Sequence, residues 1–165
     1  MAEQTIAKDK LLTMLNVLPK EFTISFDFYA QDQSGWAHVL QFREGSNPPY
    51  KYGDRIPEIF YEASTSTLRI YFDVNGKKVH KDVTAATYKW HTVRLVQKKG
   101  RDVFHYSIWL NGAEVYSIIN SDPQDFKSVK VYAASYTFSN YSPQKGKLRN
   151  LIVQTKGNAG ECRVK

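Results

Sequence analysis

Apolar and polar residues alternate along much of this chain, and a period of two predicts strands. The segment 22–28, FTISFDF, places its four large apolar side chains on one face and Thr23, Ser25 and Asp27 on the other. A half-buried strand shows this alternation because successive side chains point to opposite sides of a sheet. The segment is therefore predicted to be a strand with one face in the core.

Two further runs alternate and end in turn signals. The run that begins at Thr67 reaches Asn75-Gly76, and the run that begins at Phe104 reaches Asn111-Gly112. Asn-Gly tolerates the positive φ angles of a type I′ turn, so both runs predict hairpins. A weak helical pattern lies at Lys8 to Asn16. Other strands are predicted at Trp36 to Arg43, Ile56 to Tyr61, Trp90 to Gln97, Val129 to Ala133 and Lys147 to Thr155.

The strands predict an all-β domain. The 165 residues suit one domain with one core. So many strands must bury one face each and hide their edges, which favours a two-sheet antiparallel jelly-roll sandwich over the alternative, an open barrel. Residues 18–155 are predicted to form the sandwich, with 1–17 as an N-terminal extension joining it and 156–165 as a flexible C-terminal tail. The predicted core comprises Phe22, Ile24, Phe26, Phe28, Leu68, Ile70, Phe72, Val93, Leu95, Ile108 and Leu110.

Four segments carry a resemblance to a known family: LPKEFTISFDF, KWHTVRLVQ, YSIWLNGAEVYS and GKLRNLIVQT. In order and spacing the chain resembles the laminin-G-like and pentraxin-like domains of the concanavalin A-like lectin superfamily, from Leu18 to Thr155. Its most specific pieces are Trp90-x-x-Val93, Leu110-Asn111-Gly112 and Gly146-x-Leu148-x-Asn150. These pieces mark strands and turns, so the resemblance implies a concanavalin A-like fold more strongly than it implies a function.

The chain departs from that family in two respects. Laminin-G-like domains commonly close a disulfide near the C-terminus, and a chain whose single cysteine is Cys162 cannot form one. This cysteine is an incidental thiol or an intermolecular one. The family also implies calcium, but no residue of this chain matches a calcium ligand, and no other cofactor is predicted.

The net charge of +7 is concentrated in one segment. From Gly76 to Arg101 the chain has eight basic residues against one acid, Asp82, and the rest of the chain is balanced. Such a patch can attract polyanions, and the alternative is a solvated strand pair kept soluble by its lysines. No nucleic-acid-binding module accompanies the patch, so a nucleic acid partner is not expected.

The sequence gives little information on where the protein is located. No apolar run is long enough for a membrane-spanning helix, so membrane insertion is not expected, and the start MAEQTIAKDK lacks the apolar core of a signal peptide. The resemblance favours an extracellular protein whose leader is absent from this chain. A cytoplasmic location is the alternative.

Motifs for catalysis are missing from the sequence. Glycoside hydrolases of the same superfamily carry two carboxylates on one strand, and the chain has no Glu-x-Asp-x-x-Glu. Glu58 and Glu62 could share a face, but such pairs are common on solvated faces. The four histidines lack metal-ligand spacing, and no nucleophile elbow or phosphate-binding glycine loop occurs. The chain is therefore predicted not to be an enzyme, with no catalytic residue and no assigned metal ligand.

Strand direction predicts where a ligand could bind. If the strands alternate up and down, the segment Ser46 to Phe60 and the turns near Asn75, Lys98 and Asn120 meet at one end of the sandwich. Tyrosine faces stack on sugar rings, amides and carboxylates accept hydroxyl hydrogen bonds, and lysine and arginine pair with sulfate or carboxylate. The predicted ligand-binding residues are Tyr50, Tyr52, Asp54, Arg55, Lys77, Lys78, Lys98, Lys99, Arg101, Asn120 and Asp122.

The segment Ser46 to Phe60, SNPPYKYGDRIPEIF, allows two interpretations. It is a rim loop that presents Tyr50 and Tyr52 to a ligand, or a proline-stiffened lid that packs its rings on the sandwich edge. The opposite end is predicted to hold Tyr88, the Asn111 turn and the loop 135–145, whose Asn140-Tyr141-Ser142 fits a glycosylation sequon.

The resemblance and the missing catalytic motifs together predict a non-catalytic, lectin-like recognition domain. Its predicted partner is a carbohydrate or a glycosylated protein, with sulfated polysaccharide as the anionic variant of this hypothesis. The rival hypothesis is a structural extracellular-matrix or self-associating protein built on the same sandwich, in which homo-oligomers form.

Overall fold

The computed structural model describes residues 3–45, 51–134 and 141–156, together with the backbone of 162–163. The described residues form strands and turns without a helix. The strands are β1 (Gln4–Thr5), β2 (Leu11–Leu18), β3 (Phe22–Tyr29), β4 (Trp36–Arg43), β5 (Glu58–Glu62), β6 (Thr67–Val74), β7 (Lys77–Thr84), β8 (Trp90–Lys99), β9 (Phe104–Leu110), β10 (Ala113–Asn120), β11 (Phe126–Tyr132), β12 (Lys147–Thr155) and β13 (Cys162–Arg163).

Two antiparallel sheets form the predicted jelly-roll sandwich. One sheet has the order β1-β12-β3-β8-β9-β10, with β13 also paired to β12, and the other has the order β2-β11-β4-β5-β6-β7. Consecutive strands often lie in different sheets, which lets each sheet bury one face against the other.

The core lies between the sheets and contains the predicted apolar rows. Phe26 and Ile24 of β3 are almost fully buried, and Phe72 of β6 stacks on Tyr106 of β9 across the sandwich with ring centroids 4.5 Å apart. Every residue of the predicted core is buried except Leu110, which is half-buried and packs against the core edge.

Both predicted hairpins are confirmed. Asn75 and Gly76 have φ angles of 54° and 67°, and Asn111 and Gly112 have φ angles of 51° and 84°. Positive φ at both central positions is what a two-residue type I′ turn requires. The two turns join β6 to β7 and β9 to β10.

The helical interpretation of Lys8 to Asn16 is wrong, because Leu11–Leu18 forms the strand β2 and pairs with β11. Its sequence, LLTMLNVL, is a short apolar run in which strand and helix cannot be separated by periodicity alone. Opposite it, Ser128 of β11 has a φ of 51°. The buried residues of both strands are three positions apart here, Leu15 and Leu18 in β2 and Phe126 and Val129 in β11, so neither strand keeps a period of two. Pairing with β11 makes this segment a strand.

The chain ends contribute strands to the seven-stranded sheet. β1 and β13 both pair with β12, and the division of the chain at residues 17 and 155 stays a prediction. Within the described ranges, no helix has the length and apolarity needed to cross a membrane.

The segment 51–57 is tied to β4. The Gln41 side chain donates a hydrogen bond to the Asp54 carbonyl oxygen at 3.0 Å, and the Glu44 amide donates to the Gly53 carbonyl oxygen at 2.8 Å. β4 is buried on both faces over Ala37–Arg43, as a strand covered by a lid must be. Within the described part of the segment, the lid interpretation is the one that the contacts favour.

A charged cluster is buried beside this segment. Glu58 is fully buried, its Oε2 lies 2.9 Å from Arg55 Nε, and its Oε1 lies 3.5 Å from Nε2 of the buried His38. The His38 ring stacks on Phe60 with centroids 4.7 Å apart. Burial raises the pKa of Glu58 to about 7, although the charge of Arg55 acts in the opposite direction.

We expect Phe26→Ala to lower the free energy of unfolding by about 3–5 kcal/mol, because it removes a ring from the centre of the core. Urea denaturation measures the change. Val103→Ala, at an exposed position, is the control and should change stability by less than about 0.5 kcal/mol. A loss below about 1 kcal/mol for Phe26→Ala would contradict the core described here.

Stability should fall as the pH rises from about 5 to about 7. The pKa of Glu58 is about 7 in the folded chain against 4.5 as its ordinary value, so over this range the folded state binds more protons than the unfolded state. At about 1.4 kcal/mol per pKa unit, Glu58→Gln should remove up to about 3 kcal/mol of this decline. Denaturation series at several pH values measure the slope, and Glu62→Gln at the far end of β5 is the matched control. An unchanged slope in Glu58→Gln would overturn the assignment.

Candidate functional site

The loops predicted to meet at one end of the sandwich do meet there. The Gly53 amide donates a hydrogen bond to the Asp73 carboxylate, and the Asn75 amide donates to Asn120 Oδ1 at 3.1 Å. Asn120 Nδ2 donates to Gln97 Oε1 at 2.7 Å. These bonds join the segment 51–57 to the ends of β6, β8 and β10, and we call this the first end of the sandwich.

The segment 51–57 places its side chains largely inward. Asp54 is buried and accepts a hydrogen bond from the Lys51 amide at 2.7 Å. Arg55 is 17% exposed and lies against the Tyr71 ring, with its guanidinium carbon 4.3 Å from the centroid. Neither charge faces solvent as a ligand contact would require, so the structure favours a role in holding the segment.

Tyr52 is half-buried, and its ring lies 5.8 Å from the ring of Phe126. Burial, together with the charge of Asp73, raises the pKa of Tyr52 to about 12. Beside it, a cavity of about 10 Å³ is lined in part by Asp73, Tyr106 and Asn120. Burial also raises the pKa of Asp73 to about 7. Tyr50, the other predicted tyrosine, lies outside the described residues.

The basic residues of the first end are exposed, as predicted. Lys77 and Lys78 begin β7, Lys98 and Lys99 end β8, and Arg101 lies in the following turn. The two predicted residues that follow β10 differ from each other. Asn120 is buried and holds loops together, whereas Asp122 is exposed and accepts a hydrogen bond from Gln124 Nε2 at 2.7 Å.

A group of residues that was not predicted as a site lies on the outer face of the seven-stranded sheet. Alternate residues of β3, β8 and β9 point away from the core and align across the strands. Two cross-strand rows result, Thr23–Val96–Ser107 and Ser25–Arg94–Trp109. The rows place small side chains next to an arginine and a tryptophan.

This face holds a shallow trough, which we define by Thr23, Arg94, Val96, Lys98, Lys99, His105, Ser107, Trp109 and Gln154. A depression of about 490 Å³ lies between β8 and β9, and a second of about 300 Å³ lies on the other side of β8, towards β12. The two share Arg94, Val96 and Lys98. From β12 to β9 the trough crosses three strand spacings, about 14 Å.

The polar groups of the trough are arranged around its aromatic ring. Trp109 Nε1 donates a hydrogen bond to Ser107 Oγ at 3.1 Å, which fixes the indole. The Arg94 guanidinium carbon lies 5.9 Å from the ring centroid. Arg94, Lys98 and His105 are exposed, and the residues that line the larger depression include no acid. The trough therefore offers a ring face, hydroxyl groups and positive charge together.

The predicted site and the trough overlap only at Lys98 and Lys99. The sequence did carry a signal for two further residues of the trough. In the predicted strand Trp90 to Gln97, the period of two places Arg94 and Val96 on the outward face. The cross-strand register that places Arg94 beside Trp109 is not readable from periodicity.

The opposite end of the sandwich gathers Tyr88 and the Asn111 turn, as predicted. Asn111 Nδ2 lies 3.0 Å from His91 Nδ1, and His91 Nε2 lies 2.9 Å from the Ala86 carbonyl oxygen, close to the exposed Tyr88. Tyr141 is exposed and its ring lies 5.4 Å from that of Phe60. Tyr136, Phe138 and Asn140 lie outside the described residues.

Metal ligation finds no support in the described part of the chain, where no group of three or more His, Cys, Asp or Glu side chains could hold an ion. Calcium rests on the family resemblance alone.

Comparison with known proteins identifies the fold. No family model matches the chain, and no curated protein matches its sequence. Among solved structures, a heptameric SAP-like pentraxin from Limulus polyphemus has a TM-score of 0.62 at 12% identity, over 92% of this chain and 74% of that one. Domains LG4-5 of the mouse laminin α1 chain have a TM-score of 0.61 at 12% identity, over 92% of this chain and 40% of that one.

A third solved structure is the CBM40 domain of the Ruminococcus gnavus IT-sialidase bound to α2,3-sialyllactose. Its TM-score is 0.56 at 11% identity, over 88% of both chains. Identities this low show a shared fold, and all three proteins are concanavalin A-like sandwiches. The protein therefore has the concanavalin A-like, jelly-roll β-sandwich fold that its strand pattern and its resemblance predicted.

Proposed function

We propose that this protein is a non-catalytic, lectin-like domain that binds carbohydrate in the trough. The single observation that carries the proposal is the combination of the Trp109 ring, the serine and threonine hydroxyls and the Arg94 and Lys98 charges on one open sheet face. An aromatic face packs on the C–H face of a sugar ring, and hydroxyls and cations bind its oxygens.

The charge of the larger depression favours an acidic sugar. Arg94 can bind a carboxylate or sulfate through two parallel hydrogen bonds, and Lys98 can add a point charge. The structural neighbour from Ruminococcus gnavus, bound to α2,3-sialyllactose, supports a sugar ligand for a sandwich of this kind. Lys77, Lys78 and Arg101 extend the positive surface around the first end, where a longer anionic polysaccharide would continue.

The ligand-binding residues predicted at the first end of the sandwich have a secondary role in this proposal. Asp54 and Asn120 are buried, and Arg55 is mostly buried. In this proposal these residues stabilise the loops and do not contact the ligand. Lys77, Lys78, Lys98, Lys99 and Arg101 stay as proposed contacts for the anionic ligand, with Asp122 at their margin. We place the domain outside the cell, where glycans of this type are presented.

We expect Arg94→Ala and Trp109→Ala each to weaken binding of an acidic oligosaccharide at least about tenfold, because each removes a contact of about 1.5 kcal/mol or more. A glycan array identifies the ligand, and calorimetry gives the affinity. Trp36→Ala, on the outer face of the other sheet, is the control and should bind like the parent. The proposal fails if no acidic or neutral glycan binds, with or without calcium, or if both trough variants bind as the parent does.

Elution from a heparin column should distinguish the contribution of Lys98 and Lys99 to anion binding from that of Lys77 and Lys78. Lys98→Glu with Lys99→Glu and Lys77→Glu with Lys78→Glu change the net charge equally, but only the first pair lies in the trough lining. We expect the first double variant to elute at clearly lower salt than the second, since electrostatic binding weakens as salt screens it. If the parent and the Lys98/Lys99 variant elute at the same salt concentration, the proposed preference for an anionic ligand is wrong.

A further inference from the structure

The two depressions of the trough, which lie on either side of β8, differ in charge. Both are lined by Arg94 and Lys98. Lys99 adds a further cation to the larger depression, whereas the smaller one contains Lys156 together with Glu21. Among the described residues that line either depression, Glu21 is the one acid. A ligand that crosses β8 from the larger depression therefore enters a region with a carboxylate.

Glu21 is held in position by groups from two strand ends. It directly precedes β3, its Oε1 accepts a hydrogen bond from Lys156 Nζ at 3.2 Å, and its Oε2 accepts one from the Lys99 amide at 3.3 Å. The Glu21 side chain is 20% exposed, against 75% for Lys156. The carboxylate is therefore fixed beside the ends of β8 and β12, at the wall of the smaller depression.

Glu21 is negatively charged at neutral pH. Desolvation acts to raise the pKa of this carboxyl, but the hydrogen bonds from Lys156 and the Lys99 amide, with the charges of Lys156 and Lys98, bring it below its ordinary value. Its charge offsets that of Lys156 in the smaller depression. The larger depression has no acid to offset its cations, so it is the better place for an anionic group.

The other polar groups of the smaller depression suit a neutral sugar. Each carboxylate oxygen can accept more than one hydrogen bond, so Glu21 can accept from a sugar hydroxyl while it keeps its protein partners. Thr23 and Gln154 line the same depression and add a hydroxyl and an amide. A sulfate or carboxylate, in contrast, has only acceptors to present to the Glu21 carboxylate.

We propose that Glu21 determines the specificity of the trough, by excluding an anionic group from the smaller depression and accepting a hydroxyl of a neutral sugar there. The ligand is then an oligosaccharide with its acidic unit in the larger depression and a neutral unit across β8. A chain with an anionic group on every unit is disfavoured, because it places like charges together. This inference rests on the proposed function.

Two tetrasaccharides of different charge density test the proposal by calorimetry. Unsulfated chondroitin alternates a carboxylate-bearing sugar with a neutral one, whereas heparin carries anionic groups on both. Glu21→Gln keeps the shape of the side chain and an oxygen that can accept the Lys99 amide. We expect this variant to bind heparin at least about threefold more tightly than the parent does, and to change chondroitin binding by less than about twofold.

Lys156→Gln should shift the preference the other way. It breaks the same ion pair, but it leaves the charge of Glu21 without its offsetting cation. We expect heparin affinity to fall at least about threefold, with a smaller change for chondroitin. If Glu21 acted only by holding Lys156 and the end of β8, both variants would change heparin binding in the same direction, and that result would contradict the proposal.

Asp32→Asn is the matched control, because it removes the same charge from an exposed position at the opposite end of the sandwich, where the Asp32 amide donates to Tyr88 Oη. It should bind both sugars as the parent does. An equal gain in heparin affinity for Asp32→Asn and Glu21→Gln would show an effect of net charge alone and overturn the proposal.

The same measurements separate this inference from the proposed function. If both sugars bind and Arg94→Ala weakens them, but Glu21→Gln leaves their relative affinities unchanged, the specificity role of Glu21 is wrong and the trough remains the binding site. If the parent binds neither these sugars nor any other glycan, both proposals are wrong.

Discussion

Each strand of this protein has only one face to give to the core, and the rest of the structure follows from that constraint. The inward rows, represented by Phe26 and by the stacked Phe72 and Tyr106, remove enough apolar surface from water to hold the two sheets together. The outward face of every strand must then be solvated, covered or used. The two sheets resolve this in different ways.

On the six-stranded sheet the outer face of β4 is covered. The segment 51–57 is bonded to β4, and the burial of Glu58 beside Arg55 and His38 follows from that cover. Such a cluster stabilises little by itself, because the desolvation of its charges opposes their attraction. What it does is fix the position of the segment, which shields the centre of this sheet from ligands.

On the seven-stranded sheet the outer faces of β8 and β9 are open. Small side chains at Ser107 and Val96 leave a depression, and Trp109 and Arg94 rise beside it. This open face is where we propose that the sugar binds.

The sequence alone determined the strands with a clear period of two, the Asn-Gly hairpins, ten of the eleven residues named for the core and the fold class, because these depend on neighbours along the chain. It also predicted which loops meet at the first end. It could not show that Asp54 and Arg55 are buried or that Arg94 lies beside Trp109, since burial and cross-strand register depend on residues far apart in sequence. The same holds for β2, whose apolar run became a strand only by pairing with β11. Tertiary packing decided these points, because a side chain's environment is set by the strands that fold against it.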